Sequence, residues 1–331
     1  MRLLYVGGLT YGTTGYRKFL EFKTKVSKVD YFDTDYYKKN KSIITYLNHR
    51  GLLSNVKKQL NMDLISAINR KVYDIVYFSK ADWITKNTLQ KVKEHSSLVV
   101  HYTPDAAFYY NETADFSSSV SDYDFVITTK EWEVDEYIKR GCKRDQVLVV
   151  VQGVDINFFR NKVETRKEHD LLFIGRKEKS YKKNIEYLYK RNLDISVYGK
   201  QWLGNSLVAA KPYVKGGNLV GSDYVNKINS AKITLGLLSK LFPETSTTRT
   251  FEITACGVLL LAERTDRHLE LFEEDKEAIY FSTPYELTEK AKYYLKNDAT
   301  RERIALAGRL RCERSNYTNE NIINLVLSLA K

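Results

Sequence analysis

The chain has 331 residues, 43% of them hydrophobic, and carries 53 Lys and Arg against 41 Asp and Glu for a formal charge of +12. That length accommodates two domains of ordinary size with real cores, and no stretch reaches the ~18–20 consecutive apolar residues of a membrane span. The three cysteines, Cys142, Cys256 and Cys312, are odd in number and far apart, which excludes a disulfide framework and a metal-site spacing and makes a reducing cytoplasm the expected setting.

Short apolar strands alternate with amphipathic helices from end to end, the signature of parallel, doubly wound sheets. Met1-Arg-Leu-Leu-Tyr-Val-Gly-Gly8 reads as a first strand and not as a signal peptide. In the first half strands are expected at Leu3–Val6, Lys28–Phe32, Asp74–Phe78, Ser97–Tyr102, Phe125–Thr128 and Val147–Val151. Helical patterns lie near 14–22, 41–69, 85–95 and 131–140. Apolar alternation lapses over Val154–Lys167, which reads as the boundary between two halves. The alternation then restarts, with strands at Leu171–Ile174, Ile195–Tyr198, Ile233–Leu237, Val258–Ala262 and Ile279–Phe281. Helices are expected near 182–190, 223–229, 249–255 and 285–294, and two more, about 300–311 and 318–330, close the chain. The repetition is one of architecture: two Rossmann-like halves, whose ligands belong outside the carboxyl ends of the strands.

Five stretches can carry chemistry. Gly7-Gly8-Leu-Thr-Tyr-Gly12-Thr-Thr-Gly15 joins the first strand to a helix, where glycines let a backbone approach a phosphate. It fits neither the dinucleotide fingerprint nor a P-loop, and a tight strand-to-helix turn explains it equally well. Asp33-Thr-Asp35 is a pair of the type that can hold a divalent metal, but a solvated turn is the expectation and no metal is expected. His101 and Asp105 follow the fourth strand, at the edge where such folds place functional groups; a packed structural histidine is the competing reading for His101. Gly175-Arg176 ends the first strand of the second half and is followed by Lys177, Lys179, Lys182 and Lys183, cations suited to a diphosphate or simply an exposed basic helix start.

The most informative stretch is Phe242-Pro-Glu-Thr-Ser-Thr-Thr-Arg-Thr-Phe-Glu-Ile-Thr-Ala-Cys-Gly257. Glu244 and Glu252 stand eight residues apart, Glu252 opens a helical turn ending at Gly257, and the apolar run from Val258 follows. A helix start with Thr247 and Thr248 favours an anion, while carboxylates suit sugar hydroxyls. Together they suggest a ligand with both parts, a nucleotide sugar. Arg249 lies three residues before Glu252, hence on the same helical face, where an ion pair between them is one reading. The positive charge reads as a solvated surface; with no basic block interleaved with aromatics, no nucleic-acid partner is expected, though contact with a membrane surface stays open.

These residues resemble a known family. Glu244-x7-Glu252 followed by Ile-Thr-Ala-Cys-Gly is similar to the paired-glutamate motif and helix of group 1 glycosyltransferases such as glycosyltransferase family 4. Asp124-Phe-Val-Ile-Thr-Thr and Gly153-Val-Asp155-Ile-Asn-Phe-Phe159 resemble the segments at that family's domain junction. Arg249-Thr-Phe-Glu-Ile, Glu270-Leu-Phe-Glu-Glu-Asp-Lys-Glu277 and Ile304–Arg309 look closest to the spore-maturation-protein, CgeB-like, branch.

The resemblance implies an α/β GT-B fold, two Rossmann-like domains facing across a cleft. Residues 1–158 would form the acceptor domain, with the helix at about 316–331 packing back on it, and 159–315 the donor domain. It implies metal-independent, retaining transfer from a nucleotide-diphosphate sugar, UDP-linked first of all, to a glycan, lipid-linked or protein acceptor, with no other cofactor. Glu252 would hold the ribose, Glu244 the donor sugar, and Arg176 and Lys182 the diphosphate. His101 would stand near the donor sugar; Gly8, Thr14 and Gly15 would approach the phosphates. Thr247, Thr248 and Arg249 would complete the donor site, with Glu244, His101 and Arg176 as the catalytic set. Two departures stand out: Lys183 replaces the family's glycine after the lysine, and Glu-Thr-Ser-Thr replaces its Glu-Gly-Phe-Gly. They leave two alternatives, a catalytically silent nucleotide- or glycan-binding protein and a nucleotide-sugar epimerase.

Overall fold

The computed structural model describes residues 1–38, 54–109, 112–160, 166–203 and 211–330. Residues 41–53 of the helix expected over 41–69, and 161–165 of the expected boundary, lie outside the described residues. The chain forms two units, one of Met1–Val151 with Asn319–Lys331 and one of Gln152–Thr318. Each is built on a six-stranded, wholly parallel sheet.

In the first unit the strands are β1 (Arg2–Gly7), β2 (Lys28–Asp33), β3 (Tyr73–Ser79), β4 (Ser96–Thr103), β5 (Phe125–Thr128) and β6 (Val147–Val149), in the order β2-β1-β3-β4-β5-β6. Its helices are α1 (Thr14–Lys25), α2 (Asp35–Lys38), α3 (Ser54–Ile68), α4 (Lys86–Glu94), α5 (Ala114–Ser119) and α6 (Val134–Lys139). Threonines set several helix starts: Thr13 accepts from the Tyr16 N–H, Thr85 from Thr88 and Thr113 from Phe116. Such caps satisfy N–H groups that the helix leaves open.

The central strands are apolar almost throughout because both faces are covered. One face packs Val76, Phe78 and Val99 against Leu60, Leu64, Leu89 and Val92 of α3 and α4. The other packs Tyr5, Ile75 and Tyr77 against Phe19 and Phe22 of α1. Ile322, Ile323 and Val326 complete that second face; they come from the last helix, Asn319–Ser328.

The second unit has β7 (His169–Ile174), β8 (Ile195–Tyr198), β9 (Val214–Gly216), β10 (Ala231–Gly236), β11 (Leu259–Glu263) and β12 (Ile279–Phe281), in the order β12-β11-β10-β7-β8-β9. Its helices are α7 (Ile156–Arg160), α8 (Lys179–Tyr189), α9 (Gly221–Asn229), α10 (Thr248–Ala255), α11 (Asp266–Leu271), α12 (Pro284–Lys296) and α13 (Asp298–Arg314); the helix Asn319–Ser328 is α14. Counted within the unit, this is the dinucleotide-fold order 3-2-1-4-5-6. The strand order reverses between β7 and β10, and the loops after those two strands flank the crevice where such sheets take ligands. In the first unit the same reversal lies between β1 and β3. Among the described residues no helix is long and apolar enough to cross a membrane.

Candidate functional site

At the reversal point of the second unit, β7 runs into Gly175 and Arg176, and β10 runs into the loop that leads to α10. The Gly175 carbonyl accepts from Trp202 Nε1 at 2.8 Å. A Cβ on Gly175 would stand 3.2 Å from an Arg249 Nη1, so glycine is what lets that guanidinium sit against the end of β7. Arg176 is exposed beside it.

Three carboxylates shape the loop after β10. Glu178, just before α8, accepts from the Lys240 N–H at 2.8 Å through Oε1 and from Ser239 Oγ at 2.8 Å through Oε2. Glu244 Oε2 accepts from the Ser239 N–H at 3.0 Å. Glu263, at the end of β11, accepts from the Leu238 N–H at 2.8 Å and pairs with Lys240 Nζ at 2.6 Å. Glu244 therefore folds its own loop. Thr265 adds a fourth tie, its hydroxyl donating to the Thr245 carbonyl at 2.7 Å.

The loop delivers the chain to Thr247, the N-cap of α10. The Thr247 N–H donates to Thr250 Oγ1 at 3.3 Å, one half of a capping box between the two threonines. Thr248 Oγ1 takes a hydrogen bond from Gln152 Nε2. Arg249 lies with its guanidinium over the rings of Phe173, 5.4 Å away, and Tyr181, 5.7 Å away, and donates through Nη2 to the Leu237 carbonyl at 2.7 Å. Burial opposes its charge, but Tyr181, Glu244 and Tyr224 outweigh that and hold its pKa above the ordinary value. Glu252 stands in the second turn of α10, not at its start as the sequence reading has it, because the helix begins at Thr248. Its Oε2 accepts from Tyr224 Oη of α9 at 2.6 Å. Burial, then the adjacent Glu252 carboxylate, drive the Tyr224 pKa well up, so this phenol stays a donor.

The structure thus gathers Thr247, Thr248, Arg249 and Glu252 on one helix start, with Glu244 in the loop before it. Lys182, on α8, lies 3.6 Å from Glu186 and lines a groove of about 710 Å³ with Glu178, Lys183, Tyr187, Lys240 and Leu241, so the groove adjoins the loop after β10.

In the first unit the glycine loop is closed by its own neighbours. Asp33 Oδ1 accepts from the Leu9 N–H at 3.0 Å and Asp35 Oδ2 from the Thr10 N–H at 3.1 Å and Thr10 Oγ1 at 2.5 Å. A Cβ on Gly8 would meet the Asp35 carboxylate at 2.6 Å, and one on Gly15 would meet the Gly8 carbonyl at 2.8 Å. The Asp-x-Asp pair, read as a solvated turn, is a latch on this loop, and Thr14 is the first residue of α1 behind it. The Leu9 and Thr10 N–H groups of the loop are thus taken by carboxylates.

His101 requires a correction in its surroundings. Its ring is 1% exposed, packed 4.5 Å from Phe116 and 5.1 Å from Tyr123, and Nε2 bonds the Lys80 carbonyl at 2.6 Å. Burial lowers its pKa to about 4. It is the packed, hydrogen-bonded histidine of the competing reading. The alternation of the strand puts its side chain into the core instead of beyond the sheet edge. It steadies Lys80 and Ala81, which have φ of 65° and 43°. Lys80 in turn pairs with Asp105.

Sequence reasoning missed Glu178, Tyr224, Glu263 and His268. Glu178 was masked by the lysines around it. Tyr224 and His268 act across elements, and no local spacing marks them.

Residues 176–328 match the glycosyl transferase-like family, Glyco_trans_1_2. No curated protein matches the sequence. Among solved structures, the fold is similar to Alr3699/HepE of Anabaena in complex with UDP-glucose, with a TM-score of 0.68 and 13% identity over 99% of each chain. A glycosyltransferase from Rickettsia africae gives 0.63 and 14%, over 100% of this chain and 97% of that one. A putative UDP-N-acetylglucosamine 2-epimerase from Listeria monocytogenes gives 0.58 and 10%, over 98% and 94%. These likenesses show the GT-B fold for the two parallel-sheet units, and the family match over residues 176–328 supports a glycosyl-transferring enzyme.

Proposed function

We propose that this chain transfers a sugar from a nucleoside-diphosphate donor, UDP-linked in the first instance, to a hydroxyl-bearing acceptor, without a metal and with retention of configuration. One observation carries the reading. At the strand-order reversal of the second unit, a helix N-terminus flanked by Arg249 stands one turn from a carboxylate, Glu252, held by Tyr224. The first-turn N–H groups and Arg249 suit a diphosphate, and Glu252 suits the vicinal hydroxyls of a ribose. The UDP and UDP-glucose complexes of the Anabaena protein support the same chemistry. We place the chain closest to the spore-maturation-protein branch on its Arg249-Thr-Phe-Glu252 sequence.

As the glycosidic bond breaks, negative charge gathers on the departing diphosphate. Fixed N–H dipoles and the guanidiniums of Arg249 and Arg176 stabilise it without reorganising. Glu244 keeps the loop in shape beside the donor sugar, and Lys182 adds positive charge from the rim. On the retaining route the acceptor hydroxyl attacks from the face the diphosphate leaves, and a diphosphate oxygen takes its proton. The acceptor is assigned to the first unit. His101 is assigned a structural part.

A thermal-shift series with nucleoside diphosphates and their sugars tests the reading, since a ligand selective for the native state raises the melting temperature. A rise with one nucleotide, abolished by Glu252→Ala, is expected. No rise with any of them overturns it. The likeness to the Listeria protein motivates a second reading, epimerisation. Conversion of the donor sugar with no acceptor present would establish that instead.

A further inference from the structure

We infer that His268 is a positioning residue for the diphosphate end of this site, acting through Thr250 on the first turn of α10; the inference rests on the nucleotide-sugar reading above. His268 is fully buried in the second unit and touches no surface. Its ring lies parallel to Tyr280, 5.5 Å away with 4° between the planes. Nδ1 is 2.7 Å from the Glu263 carbonyl and Nε2 is 2.9 Å from Thr250 Oγ1.

With a neutral ring, the chemistry of these groups gives one consistent set of hydrogen bonds. A carbonyl only accepts, so Nδ1 carries the hydrogen and donates to Glu263. In the neutral ring Nε2 is then the acceptor, and Thr250 must donate its hydroxyl hydrogen to it. That leaves the Thr250 lone pairs turned towards the Thr247 N–H, which donates to Oγ1 at 3.3 Å. The relay therefore runs from the Thr247 N–H through Thr250 and His268 to the end of β11. It binds the N-cap peptide inward and sets the direction in which the next N–H groups, those of Thr248 and Arg249, face. Helix geometry gives those groups no partner within α10. Thr247, its residue 7% exposed, caps the same end and closes the first turn of α10 with Thr250.

Segment 263–268 is more than a support for one residue. It grips the loop after β10 at Leu238 and Lys240 through Glu263, at Thr245 through Thr265, and at Thr250 through His268. The His268 backbone N–H itself donates to Thr265 Oγ1 at 3.0 Å. The end of β11 and the start of α11 thus hold both ends of the loop that carries Glu244. Preorganised N–H donors gain their strength from being held in place before the ligand arrives. Loosening this bracket should weaken the grip on phosphate while leaving the ribose and base contacts as they are.

The test separates phosphate from nucleoside. UDP, GDP, ADP and dTDP, each beside its parent nucleoside, are titrated calorimetrically into the full chain. His268→Asn keeps an amide within reach of the Glu263 carbonyl but falls short of Thr250. Thr250→Val keeps the shape and removes the hydroxyl. Each should weaken the preferred diphosphate about tenfold, the loss of one hydrogen bond's worth of preorganisation, and leave the nucleoside unchanged. The double variant should be no weaker than either single one, because both cut the same relay. His268→Gln, whose amide oxygen reaches the Nε2 position, should restore wild-type affinity. Unchanged diphosphate affinity in both single variants overturns the inference, as does equal loss of diphosphate and nucleoside, the mark of general loosening. If the wild-type chain binds none of the diphosphates, it is the nucleotide-sugar reading that falls.

Discussion

Tyr224 Oη donates to Glu252 Oε2 at 2.6 Å, tying α9 to the second turn of α10. The bond fixes one carboxylate oxygen and directs the group's remaining lone pairs. Tyr224→Phe removes that donor at small cost, about 1 kcal/mol in urea unfolding. It should also lower affinity for nucleoside and nucleoside diphosphate by the same factor, since the ribose contact is common to both. A loss confined to the diphosphate would contradict the assignment of Glu252 to ribose.

Arg249 offers a sharper contrast. Its planar guanidinium stacks on Phe173 and Tyr181 while bonding the Leu237 carbonyl. A lysine has neither the plane nor the fork. Arg249→Lys should weaken diphosphate binding by about tenfold or more and lower the melting temperature even without ligand. Calorimetry and a thermal scan check the two effects separately.

The buried His101 gives stability a pH dependence. Its folded pKa of about 4 lies below its ordinary 6.5. Between those values the unfolded chain binds a proton that the native chain refuses. Stability is thus full above about pH 6.5 and falls as the pH drops towards 4. From pH 7 to pH 5 the loss from this group is about 2 kcal/mol. His101→Gln should flatten that part of the curve, read by urea unfolding at the two pH values. A slope unchanged in the variant would mean another group is responsible.

Asp35 holds the glycine loop through Thr10. Asp35→Ala leaves those donors without their acceptor and should cost about 1–3 kcal/mol. The cost should be the same with and without a chelator, because the carboxylate is engaged by the chain itself. The same chelator should leave nucleotide affinity of the wild-type chain intact. Activity or stability restored by added Mn²⁺ or Mg²⁺ would overturn the latch.

All eleven expected strands are present because buried parallel strands write themselves as short apolar runs. The missed one, β9, is a three-residue edge strand, Val-Lys-Gly, with little apolar content. The site was legible where function sits on consecutive residues, as along Thr247–Glu252. It was illegible where a side chain acts across elements. Nothing near His268 in sequence announces Thr250, and nothing near Tyr224 announces Glu252. His101 admitted two readings because its place in the sequence, near a strand's end, is equally that of an inward-facing side chain. The carboxylates that hold the glycine loop were equally hidden, because they arrive from the end of the next strand.

The affiliation of α14 with the first unit sets an order of events during synthesis. A ribosome emits residues 152–318 as one uninterrupted piece, so the second unit has all its strands before the first has all its helices. Until Ile322, Ile323 and Val326 emerge, the apolar surface they cover beside α1 stays open, an invitation to chaperones and to aggregation. Cutting the gene at codon 318 would fix the nascent protein in that vulnerable state, whereas residues 152–318 expressed alone would lack none of their own unit.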